Sequence, residues 1–212
     1  MATVLIDATP GNLHSAQKAF EAMAAETNTG AIVVTSEPEV VAKADRVVLP
    51  GDGAFPAVMS ALTDRPALLD ALGVAVNDRG VPFFGICVGM QLLASLGEEF
   101  RDTKGLDWVP GRVVPITPGD PDLKVPHMGW NDLVVDVPHA VLSGISTGDH
   151  AYFVHSFRMD VADPAHLIAH VDYGGPVTAI IGRDNLIGTQ FHPEKSQSAG
   201  LRMIANFLTW TP

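Results

Sequence analysis

Apolar and polar positions change rhythm about halfway along the chain. In the first half, short solid apolar runs alternate with stretches of helical periodicity. Thr3 to Ile6 is a short apolar strand, followed by a Pro-Gly-Asn turn. Leu13, Ala16, Phe20 and Met23 then recur at the spacing that lines one face of a helix. Ala31 to Val34 and Arg46 to Leu49 read as further buried strands, and Phe55 to Asp78 as helical with a break near Pro66. Phe83, Phe84 and Ile86 form a strand that runs into helix-forming residues from Met90 onward. Apolar strands separated by helices predict a parallel sheet covered on both faces.

The second half consists of short β-branched and aromatic segments with turn signals between them. They are Arg112 to Ile116, Leu133 to Val137, Tyr152 to Phe157, Leu167 to Val171, Val177 to Ile181 and Leu186 to Gln190. This spacing predicts hairpins that add antiparallel strands to the sheet. A last amphipathic helix, Ala199 to Leu208, carries Leu201, Ile204 and Leu208. No linker or repeat divides the chain, so the expectation is one α/β domain over 1–212: three layers, with a mostly parallel central sheet and antiparallel strands from the second half.

Composition adds exclusions. A net charge of −11 disfavours nucleic acid or an anionic membrane as partner. No apolar run approaches a membrane span and the N-terminus lacks a signal-peptide pattern. A single cysteine forms no internal disulfide, which suits a reducing compartment. A cytoplasmic protein is expected.

That cysteine, Cys87, lies in Gly85-Ile-Cys-Val-Gly89, between the predicted strand and helix. A free cysteine is more often core. Two glycines at such a junction pack a core poorly, but they suit a nucleophile on a sharp strand-to-helix turn, where the helix N-terminus favours a thiolate. A thiol nucleophile needs a base and the base an orienting group. His192 and Glu194 in Gln190-Phe-His-Pro-Glu-Lys-Ser follow an apolar strand end. In extended backbone, residues i and i+2 share a side, so Glu194 is expected to hold His192. The Val88 amide, at the helix start, is a natural oxyanion donor, and a second is expected from Pro50-Gly-Asp-Gly after the strand Val47-Val48-Leu49. His166 and His170 have i, i+4 spacing in a strand-like setting without further ligands, so no metal site is expected.

These residues resemble the class I (triad) glutamine amidotransferases over nearly the whole chain. The carriers are Gly-Asn-Leu (11–13), Leu-Pro-Gly-x-Gly-Ala-Phe (49–55), Pro-Phe-Phe-Gly-Ile-Cys-Val-Gly-Met-Gln-Leu-Leu (82–93), Tyr-Phe-Val-His-Ser-Phe (152–157) and Gln-Phe-His-Pro-Glu-Lys-Ser (190–196). Lys-Val-Pro-His-Met-Gly-Trp-Asn (124–131) discriminates within the family. It resembles the branch that serves a separate cyclase of histidine biosynthesis.

The resemblance implies hydrolysis of glutamine to glutamate and ammonia through a thioester on Cys87, with His192 as acid–base and Glu194 orienting it. It implies oxyanion donors at the backbone of Asp52 and Val88. Gln91 and Glu99 would hold glutamine, Glu99 taking the α-ammonium, and backbone around His155, Ser156 and Phe157 the α-carboxylate. Ammonia would pass to a (β/α)8-barrel cyclase subunit, the heterodimeric partner, which releases imidazole glycerol phosphate and an aminoimidazole carboxamide ribotide. Asn12, Met128, Gly129, Trp130, Asn131 and Lys195 would lie at or near that interface. No cofactor is implied.

Two departures stand out. Asp7-Ala-Thr-Pro-Gly-Asn12 replaces the family's Asp-Tyr-Gly-x-Gly-Asn, and Asp52 replaces a small apolar residue. The Asp52 carboxylate is expected to point away from Cys87, since a negative charge facing a developing oxyanion would oppose it. A glutaminase for another synthase, a silent binding module and a cysteine hydrolase of other amides are the competing readings.

Overall fold

The computed structural model describes residues 1–8 and 13–212. In chain order the first half gives β1 (Ala2–Ile6), α1 (Leu13–Thr27), β2 (Ala31–Thr35), α2 (Pro38–Ala42), β3 (Arg46–Gly51), α3 (Phe55–Thr63), α4 (Pro66–Gly73), β4 (Phe83–Cys87) and the single turn α5 (Val88–Gln91). There follow β5 (Leu96–Gly97), β6 (Thr103–Lys104), β7 (Gly111–Pro115), β8 (His127–Asp132), β9 (Val134–Val135), β10 (His150–His155), β11 (Phe157–Val161), β12 (Leu167–Asp172), β13 (Pro176–Arg183), β14 (Leu186–Thr189) and α6 (Gln197–Thr209).

An eight-stranded sheet runs in the order β2-β1-β3-β4-β14-β13-β12-β9. β1 to β4 and β14 are parallel, while β13, β12 and β9 continue antiparallel. The path from β1 steps outward to β2 and then back across β1 to β3. With right-handed crossovers, that reversal places α1 and α2 on opposite faces. The packing agrees: α1 lies against α6, and α2 against α4. Such a reversal opens a crevice at the carboxyl ends of the strands, where ligands of open α/β sheets bind.

Side chains alternate across β4. Phe84 meets Phe20 of α1 at 6.2 Å and Phe207 of α6 at 5.1 Å. Phe83 meets Trp108 edge-on at 5.5 Å. Every residue of β4 is buried, as the solid apolar run predicts. The strand that ends in Cys87 is therefore clamped from both sides.

The expected parallel half is present, with α2 as an addition. Elsewhere the structure differs from the sequence reading. Only β9, β12 and β13 extend the main sheet antiparallel. β11-β7-β5-β6 and β10-β8 form separate sheets. The expected strand Tyr152 to Phe157 is two strands, because the chain changes partners at Ser156: β10 pairs with β8, and β11 with β7. Leu133 to Val137 shrinks to Val134–Val135, since the amides of Asp136 and Val137 both turn onto the Ile168 carbonyl. The helix expected from Met90 stops after Gln91. Carbonyls of Leu92, Leu93 and Ala94 instead accept from Leu106, Val109 and Asp107, so tertiary partners replace the next helical turn.

Candidate active site

Cys87 closes β4 with φ 55° and ψ −114°, a left-handed conformation for a residue with a side chain. Such backbone costs about 1–3 kcal/mol and survives only where its surroundings over-determine it. The flanking glycines supply that restraint. A Cβ on Gly89 would fall 1.8 Å from the Leu49 carbonyl oxygen, and one on Gly85 would fall 2.6 Å from the Gly89 carbonyl oxygen. Gly51 of β3 is equally confined, its Cβ position lying 2.4 Å from the Gly89 amide. Neither Gly85 nor Gly89 has a positive φ. The glycines thus let β3 close onto the turn, and the strain sits on the cysteine itself.

Gly51 stands in register with Cys87 across the parallel pair β3–β4. Asp52 therefore follows the strand end next to Cys87, and Val88 opens α5 directly after Cys87. Asp52 itself is exposed at the rim.

His192 follows β14, the other neighbour of β4, and its amide donates to the Tyr152 carbonyl at 3.2 Å. Its Nδ1 lies 2.9 Å from Glu194 Oε1, and the Glu194 side chain is 3% exposed. Sequence reasoning expects this contact from extended backbone. The structure makes it through a tight helical turn, Pro193–Lys195, with His192 extended just before it. Proline suits that first turn position. Burial alone would lower the His192 basicity. Hydrogen bonds to Cys87 and Glu194 and their negative charge outweigh it and push the imidazole up to about 10. His192 consequently carries its proton at neutral pH.

Above Cys87 lies a pocket of about 210 Å³ lined by Asp52, Gly53, Cys87, Val88, Gln91, Glu99, Val154, His155, Ser156, Phe157 and His192. Every sequence-predicted catalytic, oxyanion and glutamine-binding residue lines it except Glu194, which stands behind His192. Glu99 Oε2 also accepts from the Phe55 amide at 2.7 Å. That amide opens α3, whose own cap residue, Ala54, offers no side-chain bond.

The buried polar residues beside this pocket were not legible as chemistry in the sequence. His155 Nδ1–H donates to the Phe157 carbonyl at 2.8 Å, which leaves Nε2 to accept from His127 Nδ1–H at 2.9 Å. His127 Nε2 in turn faces Asn131 Nδ2 at 3.3 Å. The His127 ring packs between Phe153 and Tyr173. Burial holds both histidines down to about 4, so the relay is neutral. Polar residues alternating with apolar ones in β8 and β10 were the only available signal.

Of the residues expected at a partner interface, Asn12 lies outside the described residues. Met128 and Trp130 project from β8, 62% and 49% exposed, while Gly129, Asn131 and Lys195 are half-buried. His166 and His170 do not converge: His170 pairs with Asp136 at 2.7 Å, and His166 sits in a separate short turn. Among the described residues, no cluster of three metal-ligating side chains occurs and no helix is long and apolar enough to cross a membrane.

A cysteine on a strained strand-to-helix turn, backed by a histidine and a glutamate at a sheet's carboxyl edge, is the arrangement of an amidotransferase. The glutamine amidotransferase class-I family matches residues 4–210, and the chain belongs to that family. It is 60% identical to the imidazole glycerol phosphate synthase subunit HisH of Ruegeria pomeroyi and 61% identical to that of Cereibacter sphaeroides, in each case over 100% of both chains. The fold matches a solved glutamine amidotransferase with TM-score 0.72 at 16% identity, covering 97% of this chain and 98% of that one. It also matches the glutaminase domain of Trypanosoma brucei CTPS with TM-score 0.64 at 17% identity, covering 98% and 93%.

Proposed function

We propose that this chain is the glutaminase subunit of an imidazole glycerol phosphate synthase, hydrolysing L-glutamine and delivering ammonia to a (β/α)8-barrel cyclase subunit. The observation that carries the reading is the convergence of Cys87, Gln91 and Glu99 on one pocket with His192 at its edge. The Cys87 thiolate attacks the side-chain carboxamide carbon, and the Val88 and Asp52 amides receive the charge developing on oxygen. Collapse breaks the C–N bond as His192 protonates the leaving nitrogen, giving ammonia and a thioester. Water then attacks the thioester, His192 takes its proton, and glutamate leaves with the thiolate restored. Glu194 holds the imidazole throughout. Glu99 takes the α-ammonium of glutamine, Gln91 helps hold the substrate, and backbone at 155–157 receives the α-carboxylate.

Met128, Gly129, Trp130, Asn131 and Lys195 face the cyclase in this reading, which accounts for two large apolar side chains on exposed β8. Ammonia release from glutamine by the chain alone, then with the cyclase and its nucleotide ligand, tests it. Activation in the complex and silence of Cys87→Ala are expected. Equal activity without the cyclase would sink partner control.

A further inference from the structure

Gln190 directly follows β14, two residues before His192, and is completely buried. Its backbone amide donates to the Ala179 carbonyl at 2.8 Å, holding it to β13. Its side chain lies between two residues of the pocket, Gln91 and Cys87.

The direction of that side chain follows from a neighbour that can only accept. Gln91 Nε2 lies 3.2 Å from the Phe157 carbonyl and 2.9 Å from Gln190 Oε1. A carbonyl offers no hydrogen, so Gln91 must present its amino group there. Gln190 must then turn its own oxygen toward Gln91, which aims its amino group at Cys87 Sγ, 3.8 Å away. Two amides in series thereby carry the polarity of one backbone carbonyl to the sulfur. A donor aimed at a buried thiolate favours the charged form, and low local polarity strengthens the bond.

We propose that Gln190 is a further catalytic residue, donating a hydrogen bond that stabilises the Cys87 thiolate, and that Gln91 fixes the orientation in which it does so. This rests on Cys87 being the nucleophile of the proposed reaction. A residue that merely filled the space beneath the pocket would leave the charge state of the sulfur unchanged.

Cys87 is the chain's only cysteine, so alkylation of the whole chain by iodoacetamide reports on this sulfur alone. The rate is measured from pH 5 to 10 and does not require glutamine turnover. A failed glutaminase assay and a failed proposal are therefore distinguishable. In Gln190→Met the midpoint should rise by about one pH unit, the weight of one charge-assisted hydrogen bond. Gln91→Met keeps Gln190 but frees its amide to turn, so its midpoint should rise by less. An unmoved profile in folded Gln190→Met overturns the proposal. If that variant does not fold, an unmoved profile in Gln91→Met overturns it instead.

Discussion

Gly89 approaches Leu49 so closely that a Cβ on the glycine would lie 1.8 Å from the leucine's carbonyl oxygen. The obstacle is backbone of a central strand, which cannot swing aside as a side chain would. Gly89→Ala should therefore push α5 off β3 and relax the turn at Cys87. A loss of about 1–3 kcal/mol is expected from overpacking, with glutaminase activity falling more than stability does. Urea denaturation alongside a turnover assay checks both. A fully active alanine variant would show that the turn tolerates displacement.

Glu99 serves both the pocket and the start of α3. In Glu99→Gln the amide can still accept from Phe55, so the helix loses only the favourable charge at its N-terminus, about 0.3–1 kcal/mol. A cationic group in the pocket loses a charge-assisted partner. KM for glutamine should rise about ten- to a hundredfold, with kcat changing less. Steady-state kinetics of the complex with the cyclase separate these, and a fall confined to kcat would count against Glu99 as a substrate ligand.

Ser196 braces His192. Its buried hydroxyl donates to the His192 carbonyl at 2.7 Å and accepts from the Tyr152 amide at 3.0 Å. Ser196→Ala leaves both groups without that partner and should cost about 1–3 kcal/mol. Because the loss falls on the placement of His192, kcat should drop while KM holds. Unfolding midpoints and kinetics on one preparation would reveal it.

The neutral His127–His155 relay makes stability depend on acid. Burial lowers both histidines from 6.5 to about 4. The unfolded chain therefore binds protons first, and this contribution is complete above about pH 6.5 and lost as pH falls toward 4. Uptake of the first proton should remove roughly 2–3 kcal/mol. His192 behaves oppositely: with its value raised to about 10, its contribution is full below pH 6.5 and lost as pH climbs through 10. Chemical denaturation at pH 7, 5.5 and 4.5 should show the acid-side decline, with a shallower one in His127→Leu. Equal slopes in the two proteins would exclude His127 as a source.

How much of this was legible beforehand differed from element to element. The β4 strand, the α1 face and the Cys87, His192 and Glu194 positions could be read from the chain, because apolar runs, helical spacing and flanking glycines act over a few residues. β8 was missed because its inward and outward positions carry mixed chemistry, with His127 buried and Met128 and Trp130 exposed. The helix expected beyond Met90 failed for a related reason. Leu92, Leu93 and Ala94 have helical propensity, but their carbonyls found partners more than ten residues away.

By itself, the sequence determined the alternation of strands and helices, the turn at Cys87 and the residue types that flank it. Those follow from local periodicity and from what glycine and proline permit. Only the tertiary structure decided why the glycines are needed, which amide faces the sulfur, and that His127 and His155 are neutral. Each of these depends on groups brought together by parallel register and burial, and short-range patterns along the chain do not encode which distant carbonyl a side chain will meet.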